Sequence, residues 1–374
     1  MELLIMKNFM LSSVHKTWPV LIIALLSSFA FGTLPPEPAN RTIVDLHTIE
    51  LANGSVQLSW SPVPGATGYK IYHSGDPSPL FPGTWIPLAR VANTGYTVTA
   101  TAGKQFFRVT WDDIPASTVG FALVEGGTFH NGTADVTIST FYMSRSEVTQ
   151  AEYLAVTGTN PSSHPLGYGI GPNFPVWNVS WFDAVRFCNL RSIQEGITPC
   201  YGYAGYGTNP ADWPADWTVE VMYMRQNVFC DWTANGFRLP TELEWQFAAR
   251  GGIYSRDYPF SGSDNIDLVG WYWGNWGSSW YTPHSVNALS PNEIGIYDMS
   301  GNLWEWVWDI PADYPATPQT DPHGPTSLYY QRALRGGAWN VGNPGTQCAV
   351  SYRNWSYADA PSSSLGFRVC RIAP

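Results

Sequence analysis

The cysteines carry the first candidate chemistry. There are five of them, Cys188, Cys200, Cys230, Cys348 and Cys370. Cys348 lies just past a double glycine, in "LRGGAWNVGNPGTQCAVSYRNW". It is read in three ways: a nucleophile, half of a disulfide, or a small buried side chain. Nucleophilic attack by a thiol needs a neighbouring base and a group that orients that base. Neither stands near Cys348 in the sequence, so a packed or disulfide-bonded residue is expected. The histidines are His15, His47, His73, His130, His164, His284 and His323. No two fall within a helical turn or two of one another, so nothing in their spacing builds an iron-binding facial triad.

What positions these residues is a loop-rich chain of 374 residues, comfortable for two domains. Charged residues make up only 13% against 15% aromatic, with 35 Gly and 30 Pro, which leaves room for few long amphipathic helices. The net charge is −10, and the absence of any basic stripe argues against nucleic acid as a partner. Near the start, Lys7, His15 and Lys16 precede the apolar run "WPVLIIALLSSFAFG". Residues 1–32 therefore read as a secretory signal peptide, with cleavage after Ala30 or Gly32 and no membrane span remaining afterwards. A secreted or periplasmic location would permit disulfides, and an odd number of cysteines leaves one over. Cys200 and Cys230 bracket a long insertion whose ends must return together, so they are expected to pair. In the chain-entropy view such a bridge contributes on the order of 3 kcal/mol.

Residues 33–113 read as all β. Val56, Leu58 and Trp60 alternate along one strand, Tyr69 and Ile71 along the next, and "FFRVTW" forms a last one. This segment resembles a fibronectin type III sandwich, which implies a spacer or adhesive role. After the linker "IPAST", two helices are well signalled. Ser180 with Asp183, and Thr241 with Glu244, form capping boxes, and Gly196 and Gly251 mark the helix ends. The rest of residues 118–374 is short strand or loop, which makes the class α+β.

Within that segment "FALVEGGTF", "MSRSEVTQAEYLAVTG", "PVWNVSWFDAVRFCN", "GFRLPTELEWQFAARGG", "IGIYDMSGNLWEWVWD", "LRGGAWN" and "SSSLGFRVCR" follow in order. Together they resemble the formylglycine-generating enzyme family, also called sulfatase-modifying factors, from Gly120 to Pro374. The resemblance implies an irregular fold of the C-type-lectin kind. It also implies copper(I) held by two cysteines after the double glycine, because soft thiolates suit a soft ion. Here Ala338 to Gln347 contain no cysteine, and Ala338 replaces the family's serine, so copper is not expected. The resemblance further implies a structural calcium site, with the Asp298 and Glu305 carboxylates and the Gly301 and Leu303 carbonyls as ligands. Oxygen donors around a tight turn suit Ca²⁺. The family's other calcium site, aligned with Ser278 and Trp280, lacks its carboxylate. A bridge between Cys188 and Cys370, tying first helix to last strand, is a second implied disulfide, loosened by a one-residue displacement of Cys370. Arg238 and Arg368 are read as architecture, with Glu242 and Glu244 as nearby candidate partners.

The function expected from these residues is recognition. Trp339, Asn340, Arg353, Asn354 and Trp355 form the expected ligand face, in a segment rich in the residue types of binding surfaces. The partner would be a protein, peptide or glycan. The alternative is an oxygen-dependent oxidase or modifier of a cysteine or peptide substrate, of the sulfatase-maturation or non-haem iron type, using Cys348 or a metal.

Overall fold

A computed structural model describes residues 3–7, 22–24, 46–50, 55–63, 68–75, 86–91, 93–98, 105–112, 120–164, 166–214, 218, 228–275, 282–325 and 330–373. The chain divides into two compact units, Met1–Val119 and Gly120–Pro374. Most of the segment read as a signal peptide lies outside the described residues, apart from two short strands, Leu3–Lys7 and Ile22–Ala24.

In the first unit His47–Glu50, Val56–Ser59 and Gly95–Val98 pair antiparallel as one sheet. In a second sheet Gly68–Ser74 lies between Ile86–Val91 and Gln105–Asp112. The alternation read from the sequence holds, since Val56 and Leu58 are buried while Gln57 is exposed. Leu58, Trp60, Tyr69, Ile71 and Val109 belong to one core drawn from both sheets. The Trp60 and Tyr69 rings meet edge-on at 5.2 Å.

The second unit mixes short strands with helices, as an α+β chain should. Helix α1 spans Gln150–Thr157, α2 Trp181–Gln194 and α3 Glu242–Ala249. Both expected capping boxes are present at α2 and α3. Helix α1 has one as well, from Thr149 and Glu152, and stops at Gly158 in the left-handed conformation. Such caps satisfy amides the helix cannot, at about 1 kcal/mol each. The expected stop for α3 is also met, with Gly251 left-handed one residue past the Arg250 cap.

Two sheets position the site. Asn354–Tyr357, Gln331–Arg335, Trp304–Trp306 and Leu365–Phe367 lie side by side in that order, the last pair parallel. Phe141–Ser144 sits between Phe121–Val124 and Cys370–Ile372. The irregular backbone between them is held by indole and guanidinium donors. Trp181 donates to the Val307 carbonyl at 3.1 Å and Trp306 to that of Val179 at 3.0 Å. Arg335 donates to the carbonyls of Val350, Ser351 and Tyr352. Buried carbonyls outside regular ladders need such partners. Trp181, Trp306 and Arg335 meet that need here.

Candidate functional site

The turn from Asp298 to Glu305 brings the four residues expected to bind calcium into one place. Asp298, Gly301 and Asn302 all have positive φ. At Gly301 a Cβ would come within 2.2 Å of the Trp271 carbonyl oxygen, so only glycine fits there. Asp298 is buried, and its Oδ2 accepts from the Asn287 amide at 2.8 Å. Glu305 is fully buried. Its oxygens accept from the Trp245 indole at 2.7 Å and from Arg368 Nε and Nη2 at 2.6 and 2.7 Å. The partner of Arg368 is therefore Glu305, not Glu242 or Glu244. Arg238 does meet Glu244, through two bonds of 2.6 Å.

Sequence reading missed a third acid here. Glu147 is buried, accepts from Asn302 Nδ2 at 2.7 Å and caps the Leu303 amide at 3.1 Å. Three buried carboxylates thus surround one guanidinium. Burial, then the charges of Asp298 and Glu305, push the Glu147 carboxyl well up. Burial likewise raises Asp298 to about 6. An excess of buried acid and a turn with left-handed positions suit a hard cation. Glu305 is already engaged by Arg368 and Trp245, so such an ion would lean on Asp298 and the Gly301 and Leu303 carbonyls. Among the described residues no group of three or more acidic, His or Cys side chains is disposed to hold a metal by itself. Ser278 and Trp280 lie outside the described residues.

Cys348 is sealed rather than poised. It is fully buried, and burial pushes its thiol up to about 12. A thiol that stays protonated is a poor nucleophile. Gly337, at φ +80°, packs against it so closely that a Cβ there would sit 2.7 Å from the sulfur. Of the preceding segment, Ala338 and Trp339 are core, and Trp339 packs with Trp177 and Leu303.

All five cysteines are free thiols. The expected Cys200–Cys230 bridge is absent. Cys230 stands opposite Tyr201 in the ladder, and Cys200 is the residue just before that strand. Cys200 Sγ donates instead to the Gly236 carbonyl at 3.3 Å. The Cys188–Cys370 bridge is also absent, and Cys370 Sγ accepts from Arg238 Nη1 at 3.0 Å. These contacts gather cysteines from distant parts of the chain along the strip Ala234–Arg238.

The expected ligand face is split. Trp339 is buried, and its indole donates to the Ser363 carbonyl at 3.2 Å. Arg353 turns toward α3, where Nε and Nη2 each meet a Glu242 oxygen at 2.6 Å, and its guanidinium lies 3.8 Å from the Tyr314 ring. Asn340 is exposed and Asn354 half-buried. Trp355 is exposed beside Tyr357, at 48% and 51%, with their rings edge-on. This strand ends its sheet, yet its edge is partly closed. The Trp355 amide donates to Asn354 Oδ1, and the Tyr357 carbonyl accepts from Ala360. Aromatic faces, more than an open strand edge, are what this surface presents.

Comparison with known proteins agrees with this architecture. The chain is 37% identical over 268 residues to "Chaperone protein LppX" of Paenibacillus barcinonensis, covering 67% of this chain and 88% of that one. It is 33% identical over 173 residues to the formylglycine-generating enzyme of Streptomyces coelicolor, covering 41% of this chain and 52% of the enzyme. The match thus spans about half of that enzyme's length. Among solved structures, Treponema denticola variable protein 1 superposes with a TM-score of 0.56 at 32% identity, over 68% of this chain and 94% of that protein. Residues 110–373 match the family described as "Sulfatase-modifying factor enzyme 1-like domain". Through this match the chain belongs to the family of sulfatase-modifying factor enzyme 1-like domains.

Proposed function

We propose that the C-terminal domain is a non-catalytic recognition module of a secreted or periplasmic protein. One observation carries this reading. The stretch between the double glycine and Cys348 offers no thiol, and Cys348 itself is buried behind Gly337 with a raised pKa. A copper(I) site needs two accessible soft ligands. Membership of the family does not decide activity either, because the similar proteins include one named as a chaperone as well as one named as an enzyme. The exposed Trp355 and Tyr357, with Asn340 and Asn354 nearby in sequence, are the contact surface for a protein, peptide or glycan. A fibronectin type III-like spacer precedes the module; the shared core of the two N-terminal sheets around Trp60 supports that assignment. Calcium at Asp298, Gly301, Leu303 and Glu305 has a structural role, supported by the surplus of buried acid there. No helix among the described residues is long and apolar enough to cross a membrane.

The test is elemental analysis of purified protein together with an aldehyde assay on a cysteine-containing peptide. Absence of redox metal and of aldehyde is the expected result. Stoichiometric copper or iron with aldehyde formation would replace this reading with an oxidase.

A further inference from the structure

The loop from Asp309 to Pro325 closes over the start of α3 and leaves a cavity of about 320 Å³. That volume suits a small organic group. Leu243, Ile310 and Tyr314 supply apolar wall, and the acids Glu242, Asp309 and Asp313 also line it. The two buried acids differ. Glu242 is neutralised where it stands, both oxygens being held by Arg353.

Asp309 is only 6% exposed, and its Oδ2 accepts from the Glu242 amide at 2.6 Å. Among the described residues its Oδ1 accepts no hydrogen bond. Arg332, the cation buried behind it, gives Nη1 to the Trp308 carbonyl and rests 3.8 Å above the Trp181 ring. On the loop side Asp309 Oδ1 faces Gly324, where a Cβ would come within 2.7 Å of it. A carboxylate oxygen with no protein donor, on a side chain that lines a cavity, is free to meet a donor that enters there.

We propose that this cavity binds an alkylammonium group, from a free small amine or from a lysine side chain, with Asp309 as counter-ion and the Tyr314 wall against its methylene stem. An ammonium brings three donors to an oxygen that has none. Its stem is apolar and suits the wall. A carboxylate ligand would meet Asp313 as a like charge, and Asp309 too once it ionises, while the one guanidinium in the lining is already paired.

The groups facing Asp309 are Glu242 and Glu244 from α3, Arg332 from the adjoining strand, Asp313 and His323 from the loop, and Arg353. Burial, then Glu242, raise the Asp309 carboxyl to about 8. Amine binding therefore releases a proton at neutral pH and tightens as pH rises toward 8. The site does not depend on whether the domain is catalytic.

Calorimetry with hexylammonium, with a lysine peptide blocked at both termini but free at Nζ, and with hexanoate tests this. Saturable binding of an amine probe is expected, with no binding of hexanoate. Affinity should fall about tenfold in Asp309→Asn, which keeps the acceptor for the Glu242 amide. Ala312→Trp, at an exposed lining position, should weaken binding similarly without touching Asp309. Tighter binding of the peptide than of hexylammonium assigns a lysine side chain, and the reverse assigns a free amine. Failure of both amines to bind, equal binding of hexanoate, or undiminished affinity in a folded Asp309→Asn or Ala312→Trp protein overturns the proposal.

Discussion

Glu305 and Asp309 leave the same short stretch of chain, both are buried, and they meet opposite surroundings. Glu305 has a guanidinium in two-pronged contact and an indole donor besides. Asp309 has one backbone amide, no paired cation among the described residues, and a cavity in front of it. A carboxylate already matched to Arg368 is part of the scaffold, and removing its partner strands a charge. One left unmatched stays neutral by holding a proton, or else becomes charged with a cation from outside. The same side chain is architecture in one place and a receptor in the other, and the partner decides which.

The sharpest test of that comparison removes the guanidinium from Glu305 and, as a contrast, from Glu242, the acid beside Asp309. Arg368→Met leaves Glu305 buried and uncompensated, and should cost about 3–5 kcal/mol in denaturant unfolding. Arg353→Met should cost clearly less, because that side chain is 29% exposed and water can reach the site. Equal losses would mean that burial does not separate the two pairs.

Calcium probes the surplus acid around Arg368. A hundredfold excess over its dissociation constant should stabilise the domain by about 2.7 kcal/mol, and a chelator should lower the melting temperature. Asp298→Ala should abolish that response while leaving the Glu305–Arg368 pair in place. An unchanged melting temperature in the wild type with and without calcium would remove the ion from this turn.

Cys348→Ser is a control on a buried group outside both acid clusters. It should cost ~1–3 kcal/mol if the hydroxyl finds no partner, with ligand binding retained in the folded fraction. Loss of a measurable oxidation activity in a normally folded mutant would instead return Cys348 to catalysis.

The pH dependence of stability should carry the mark of Asp309. Its carboxyl is raised from 3.8 to about 8, so the folded state holds a proton that the unfolded state has released. Stability from this group is complete below about pH 4 and is lost as pH rises toward 8, with a slope of up to ~1.4 kcal/mol per pH unit. Asp298 and Glu147 act in the same direction in the absence of a cation. Asp309→Asn should flatten the slope by the share of one proton, read from urea midpoints across pH. The smallest signal is a thiol count in denaturant, which should find five. Fewer would show that oxidation had joined one of the pairs expected from the sequence.

Local features were legible and cross-chain partnerships were not. Ser180 with Asp183 and Thr241 with Glu244 announce helices because capping is a contact between near neighbours. Thr149 with Glu152 carries the same signal and ends at Gly158, so α1 could have been read the same way. Arg238 with Glu244 was within reach for that reason as well. Arg368 with Glu305, and Arg353 with Glu242, join residues far apart in sequence, and nothing local distinguishes one buried acid from another. Arg353 accordingly read as part of a binding face when it is an ion-pair partner. Trp339 read as part of the ligand face because composition cannot tell a recognition tryptophan from one that plugs the core. Glu147 was missed because its role is to cap the amide of Leu303, a residue from another part of the fold.

The sheet that holds Phe141–Ser144 between Phe121–Val124 and Cys370–Ile372 sets the order of events in making this domain. Its central strand is synthesised early, but one neighbour arrives only with the last residues described, as does Arg368 for the waiting Glu305. A ribosome still translating residue 360 therefore carries a chain that cannot close, with a buried acid not yet matched and a sheet missing a strand. Closure of that sheet and matching of Glu305 both wait for the stretch from Arg368 to Ile372. A truncation that removes the final strand should accordingly abolish the whole domain, whereas a break at the exposed Gly342–Asn343 turn should be tolerated.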